Sequence, residues 1–264
     1  MNEASSSIEY LTSPAAASSL AMDPYWPKWD SPWWHVLALK EAGVEPPRAA
    51  VKALVGAASG RYLRFFPKSA AELPEGKSMR TDVICFCALG SLLQLGEPID
   101  WADGLLTRYQ QPDGGWNCDE RSAQSSIVST VPVLEYLVEK NPRDERLERG
   151  MAYLLSTRLH RSRRTGAVLN AEWLYSSLPR FYAYDVWRGL KLVARWAERT
   201  GEHPPKDAIA GALAHVSGPC TVKPRDWSGH GVESSFPLAE ALFAASQERF
   251  TSEGKTLCHL LSTV

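Results

Sequence analysis

The sequence predicts an all-α protein in which alternating inner and outer helices close into an α/α toroid, and three observations carry that expectation. Candidate helices are separated by Gly- and Pro-rich loops, and few runs alternate polar with apolar residues as strands do. The helices are of two kinds: 83–95, 126–137 and 234–245 are apolar nearly all round, whereas 143–159 and 205–214 carry a charged face. The kinds largely alternate, with inner helices beginning near Pro32, Asp82, Ser126, Ala183 and Glu233, a step of roughly 50 residues. Loops at Gly60-Arg61-Tyr62, Gly115-Trp116, Gly166 and Gly218 return at about the same interval. A unit of outer helix, glycine loop and inner helix cannot bury its apolar face alone and must pack on its neighbours.

Each element has a local cause. Residues 1–22 are rich in Ser and Ala and read as a loosely attached, flexible tail with a short helix over 15–21, ahead of a single toroid domain over 23–264. Ser31-Pro32 is an N-cap followed by a first-turn proline, and the helix it starts, from Trp33, stops at Gly43. Pro47 opens the next, to about Ala57, and Thr81-Asp82 leads into the apolar run that Gly96 ends. Further helices are expected over 101–109, 126–139, 143–159, 184–200, 205–216 and 234–247.

Composition narrows the function classes. The 264 residues are 44% hydrophobic and 22% charged, which suits a folded globular chain. With 29 Lys plus Arg against 30 Asp plus Glu, the net charge of −1 supplies no overall field for a nucleic acid or an anionic membrane. No apolar run reaches the ~18 residues of a transmembrane helix, and the first basic residue, Lys28, leaves the N-terminus without the positive region of a secretory signal. Five cysteines in a chain with its own core argue for thiols in a reducing compartment, so a cytoplasmic location is expected. Ten Trp, nine Tyr and seven Phe point to large core wedges or an aromatic-lined cavity.

One stretch carries a resemblance. Gln110-Gln111-Pro112-Asp113-Gly114-Gly115-Trp116 matches in full the Gln-x-x-x-Gly-x-Trp signature of the squalene cyclase and protein prenyltransferase repeat superfamily. The turns at Gly60-Arg61-Tyr62, Glu172-Trp173 and Asp226-Trp227 look like degenerate copies, so the resemblance covers about residues 24–250. It implies a terpenoid cyclase-like toroid whose inner helices start around a central aromatic cavity. In class II members an Asp-x-Asp-Asp motif at an inner helix start protonates the substrate. The matching stretch, Ser78-Met79-Arg80-Thr81-Asp82, keeps one carboxyl, so Asp82 is either a proton donor or a helix N-cap, and ordinary polyene cyclisation is not expected. Protein prenyltransferases hold zinc through Asp, Cys and His. Cys118, Asp119 and His230 offer those types without the family's spacing, and Cys85 and Cys87, two apart on one expected helix, would point to different faces. The expectation is therefore no metal and no organic cofactor.

The remaining candidates sit on inner-helix starts. Tyr184 and Arg188 are four apart and Asp185 and Arg188 three apart, so all three share one face of an inner helix, giving either acid/base groups with an anion holder or a structural ion pair. His35, behind Trp33 and Trp34, is a second proton carrier or a packed core histidine. Trp33, Trp34 and Trp116 would wall the cavity or support it, and Ser126 would bond a ligand or cap its helix. The basic run from Arg158 to Arg164 is a solvated helix end or a rim site for an anion. The resulting expectation is an enzyme performing cyclisation, isomerisation or elimination on a small, partly apolar substrate, with no nucleic-acid partner. The other reading is a non-catalytic helical-repeat scaffold that binds a ligand or protein on its concave face.

Overall fold

A computed structural model of the chain describes residues 3–28, 30–119, 122–178, 180–216 and 222–224. Among them are ten α-helices: α1 (Glu3–Leu11), α2 (Pro14–Met22), α3 (Pro32–Glu41), α4 (Arg48–Arg61), α5 (Phe86–Leu93), α6 (Ala102–Arg108), α7 (Ile127–Lys140), α8 (Glu145–Ser156), α9 (Val186–Thr200) and α10 (Lys206–Val216). The protein is all-α in class. Two three-residue strands, β1 (Ser176–Leu178) and β2 (Val222–Pro224), pair in parallel, with Ser176 opposite Val222. The inner helix expected over 234–247 and the turn at Trp227 lie outside the described residues.

Helix α7 is the hub, packing on α5, α8 and α9, while α10 closes against α8 and α9 and α3 packs on α4. Every residue of α5 is buried, as its apolar composition requires, whereas α8 and α9 bury one face each. The backbones of α5 and α7 meet at Gly90, where an added Cβ would lie 2.5 Å from the Pro132 carbonyl carbon. No side-chain rotation can relieve a clash with backbone. Gly90→Ala is therefore expected to destabilise the protein by about 1–3 kcal/mol in denaturant unfolding, despite the better helix propensity of Ala.

The Gln110–Trp116 loop shows why its residue types recur. The Gln110 amide donates to the Gly114 and Arg146 carbonyls, at 2.6 and 2.9 Å, tying the turn to α8. Gly114 has φ 103°, a left-handed conformation, and sits hard against the Arg149 carbonyl. The Trp116 indole donates to Leu106 O on α6, and its backbone N–H bonds Thr130 on α7. One loop thus joins α6, α7 and α8, and Trp116 is a buried strut.

At the N-terminus, residues 3–22 form two helices packed on α3 and α4 where a loosely attached tail is expected; α2 matches the short helix expected over 15–21, and α1 is the addition. Leu11, Ala16 and Ser7 are buried. The Ser13 hydroxyl caps α2, with Pro14 following it, a start signal that a reading for composition passes over.

Candidate functional site

Three cysteines converge where α5 and α7 begin. Cys85 does not lie on the helix: it is the N-cap of α5, with extended backbone (φ −79°, ψ 157°), and Cys87 is in the first turn. The helical spacing that would separate their side chains therefore does not apply, and the two Sγ atoms are 2.9 Å apart. Cys118, in the loop before α7, brings its Sγ within 3.6 Å of that of Cys87, and all three sulfurs lie within 4.8 Å of one another. Ser129 on α7 accepts from the Cys118 N–H at 3.1 Å and donates its hydroxyl to the Cys118 sulfur at 3.1 Å.

The cluster is electrically polarised. Hydrogen bonds from the Cys85 and Cys87 thiols, with help from Ser129 and the Cys87 N–H, pull the Cys118 thiol well below the ordinary range against the cost of burial. Cys87 is pushed up by giving its proton toward the other two sulfurs and by burial. Lys28, half-buried over the rings of Tyr25, Trp26 and Tyr182 at 5.3–5.6 Å, lies within electrostatic reach of Cys85 and Cys87.

Beside the thiols in sequence, Phe86 and the neighbours of Cys118, Asn117 and Asp119, line a cavity of about 440 Å³. Its apolar wall is an aromatic trio, with Phe66 and Phe86 5.2 Å apart and Tyr109 5.9 Å from Phe66. Arg108, stacked 5.4 Å over Tyr109, and Lys68 supply positive charge, and Asp119 supplies a carboxylate. A larger groove of about 520 Å³ runs past α3, α5, α7 and α9, lined by residues such as Lys40, Glu139 and Arg195. Its charges are largely spent on one another: Arg195 binds Glu139 in a two-point pair, and Lys40 bonds Gln94 O.

The expected catalytic residues are dispersed and engaged elsewhere. Asp82 precedes α5 by four residues, so it is not the cap of that helix. Its carboxylate accepts from Lys77 Nζ (3.0 Å), Ser78 N–H (3.0 Å) and Thr81 Oγ1 (2.8 Å). Burial favours the neutral acid, but those three donors outweigh it and hold the group below the usual carboxylate range. An Asp kept ionised in this way is a loop clasp and a poor proton donor.

His35 sits under α1, with Nδ1 3.0 Å from Ser7 Oγ and its ring against Tyr10. Tyr184 and Asp185 precede the first helical residue, Val186, so the shared face predicted for them with Arg188 does not form. The Tyr184 hydroxyl instead donates to Leu159 O at 2.8 Å, and its ring lies over Gly189, where an added Cβ would come within 2.2 Å of the phenol oxygen. Asp185 caps α9 through the Arg188 N–H and pairs with Arg180 at 2.7 Å. The Arg188 guanidinium forks onto Glu135 of α7, at 2.8 and 2.6 Å, and reaches the Phe181 and Ala183 carbonyls. Glu41 completes this network by accepting the Arg180 and Phe181 N–H groups.

Trp33 and Trp34 are buried, with the Trp34 indole bonded to Tyr25 O. Ser126 is the N-cap position of α7, half-buried, without a side-chain capping bond. None of Asp82, His35, Tyr184, Asp185, Arg188, Trp33, Trp34, Trp116 or Ser126 lines either cavity. Of the three suggested metal ligands, Cys118 joins the thiol cluster, Asp119 faces the cavity, and His230 lies outside the described residues. The arginines of the basic run go three ways, Arg158 to Asp207, Arg161 to Gly166 O and Arg163 to Asp113, and do not gather into one anion site.

Sequence reasoning missed Cys85 and Cys87 as a pair and the Phe66–Phe86–Tyr109 wall. Comparison of the chain with protein-family models, with curated proteins and with solved structures gives no match.

Proposed function

We propose that the chain is a terpenoid cyclase- and prenyltransferase-like helical-repeat enzyme acting on a small, partly apolar substrate that carries an anionic group. The observation behind this reading is the cavity over the aromatic trio. Its volume, about 440 Å³, suits a small molecule, and it pairs an apolar wall with Arg108 and Lys68. The Gln110–Trp116 loop supports the resemblance, because Gln110 ties the turn to α8 and Trp116 ties it to α6 and α7, with Gly114 making the turn between them. In this reading the alternating helices close as an α/α toroid, the aromatic rings hold the hydrocarbon part, and the cations hold the head group. The reaction class is the one the resemblance implies, cyclisation, isomerisation or elimination.

Geranyl phosphate and geraniol are suitable probes, since they share a tail and differ in charge. Intrinsic fluorescence titration is expected to show saturable binding of both, tighter for the phosphate by about ten-fold, or ~1.4 kcal/mol. Phe86→Ala should weaken both ligands, and Arg108→Gln should remove the preference for the phosphate. Product analysis of the same mixtures by gas chromatography then reports turnover. Absence of saturable binding, or binding indifferent to Phe86→Ala, would overturn the assignment of this cavity. Binding without conversion would favour the scaffold reading, for which the engagement of Asp82, Tyr184 and Asp185 in structural bonds already argues.

A further inference from the structure

We propose that Cys85, Cys87 and Cys118 form a binding site for one thiophilic divalent cation, zinc first, held by three sulfurs and leaving one coordination position to an exogenous ligand. The inference is independent of the cavity and of any substrate.

The spacing is the primary argument. Thiolates bound at ~2.3 Å to a tetrahedral zinc stand about 3.8 Å from one another. The sulfurs here are already gathered to 2.9 and 3.6 Å, with none farther than 4.8 Å from another. Side-chain rotations that open the Cys85–Cys87 pair by about 0.9 Å bring it to that spacing, and the Cys87–Cys118 pair already lies close to it. Among the described residues no His, Asp or Glu joins the set, so the ligands are sulfur alone, the composition that selects zinc over magnesium or calcium.

The surroundings fit a metal-bound thiolate better than a set of idle thiols. Three thiols, one buried and two partly buried, can satisfy one another only with weak S–H bonds, whereas this cluster is supplied with stronger donors. The Cys118 sulfur faces the Ser129 hydroxyl and the Cys87 N–H, and Cys85 faces the Ala88 N–H in the first turn of α5. Donors of this kind orient ligating sulfurs and temper their charge. Three thiolates and a divalent cation carry a net charge of −1, and Lys28 is placed to offset it. The ligands also come from two separate segments, the entry to α5 and the loop into α7, so an ion would tie together the two helices that pack most closely among the described residues.

Cobalt(II) is the probe, added to the reduced, chelator-treated full-length chain. A thiolate-to-cobalt charge-transfer band and the ligand-field bands of a tetrahedral site are expected, saturating at one equivalent and lost when zinc is added. The Cys220→Ser/Cys258→Ser variant should keep them, and Cys118→Ser should abolish them. Ser129→Ala, which keeps all three sulfurs, should weaken zinc about 10-fold or more while circular dichroism stays unchanged. A wild-type protein that is fully reduced and shows no such bands overturns the site, as does a spectrum that survives in a folded Cys118→Ala variant. Isolation of the reduced protein with a reactive thiol trio that zinc fails to protect from alkylation overturns it equally. Should both Cys118 variants fail to fold, the wild-type bands and the Ser129→Ala shift decide the matter alone.

Discussion

Arg188→Met is expected to destabilise the protein by about 3 kcal/mol, read as a fall in the midpoint of urea unfolding, because it breaks a largely buried pair from one side. The Arg188 and Glu135 side chains are 12% and 22% exposed, so neither charge is well solvated. Methionine fills the space of the arginine stem but gives up the fork onto Glu135 and the bonds to the Phe181 and Ala183 carbonyls. Among the described residues Glu135 would keep the Gln94 amide alone, and those carbonyls would lose a charged donor at the point where the chain enters α9. The double variant Arg188→Met/Glu135→Leu should recover much of the loss, since the greater cost lies in the stranded carboxylate. An Arg188→Met protein as stable as the wild type would show that the network contributes nothing net. Loss of ligand affinity with stability intact would return Arg188 to the anion-binding role that its sequence position suggested.

The same residue shows where sequence reading stops. Helices α3, α7, α9 and α10 fall within a few residues of their expected bounds, and some of those ends have a local cause: Pro32 stands at the first position of α3, and Gly201, in the left-handed conformation, ends α9. The Gln110–Trp116 loop was legible for the same reason: seven adjacent residues carry the whole device. Arg188, by contrast, is expected from the sequence to hold a substrate's anionic group or to pair with Asp185 along its helix, but its anion is Glu135, 53 positions earlier, and Glu41 lies 139 positions before Arg180. Nothing in a spacing of three or four along a helix reports such partners. Asp185 and Tyr184 were placed on a helical face because the apolar run extends through them, yet Asp185 spends its side chain on capping α9 and so stands outside it. Cys85 fails in the same way and with more consequence. Its extended ψ, one residue before the helix, turns two sulfurs expected to diverge into neighbours. Errors of one or two residues at a helix start are small for the fold and decisive for a site, because helix starts are where the backbone changes direction.

The second large effect is expected from acid, through His35. Burial lowers its pKa from 6.5 to about 4, with the charge of Asp30 pulling weakly the other way. The unfolded chain therefore takes up a proton at this residue near pH 6.5, while the folded chain resists until about pH 4. Across that window the unfolded state binds more protons, so stability must fall as pH falls and must level off below the folded value. A gap of this size corresponds to roughly 3 kcal/mol, a substantial part of a typical domain's stability. The structural cause is the N-terminal segment: α1 lays Ser7 and Tyr10 over the imidazole and removes it from water. His35→Gln keeps a group of similar size able to bond Ser7 and cannot titrate. Its neutral-pH stability should lie within about 1 kcal/mol of the wild type, the worth of one altered hydrogen bond, while its loss of stability between pH 6.5 and pH 4 should be smaller by most of those 3 kcal/mol. Urea midpoints measured at several pH values for both proteins give the two curves directly. Parallel curves would mean that the imidazole is hydrated in the folded protein and that α1 does not cover it. Curves that start close together at neutral pH and separate as the pH falls would confirm that a histidine placed by sequence among possible proton carriers is held uncharged by the helix packed over it.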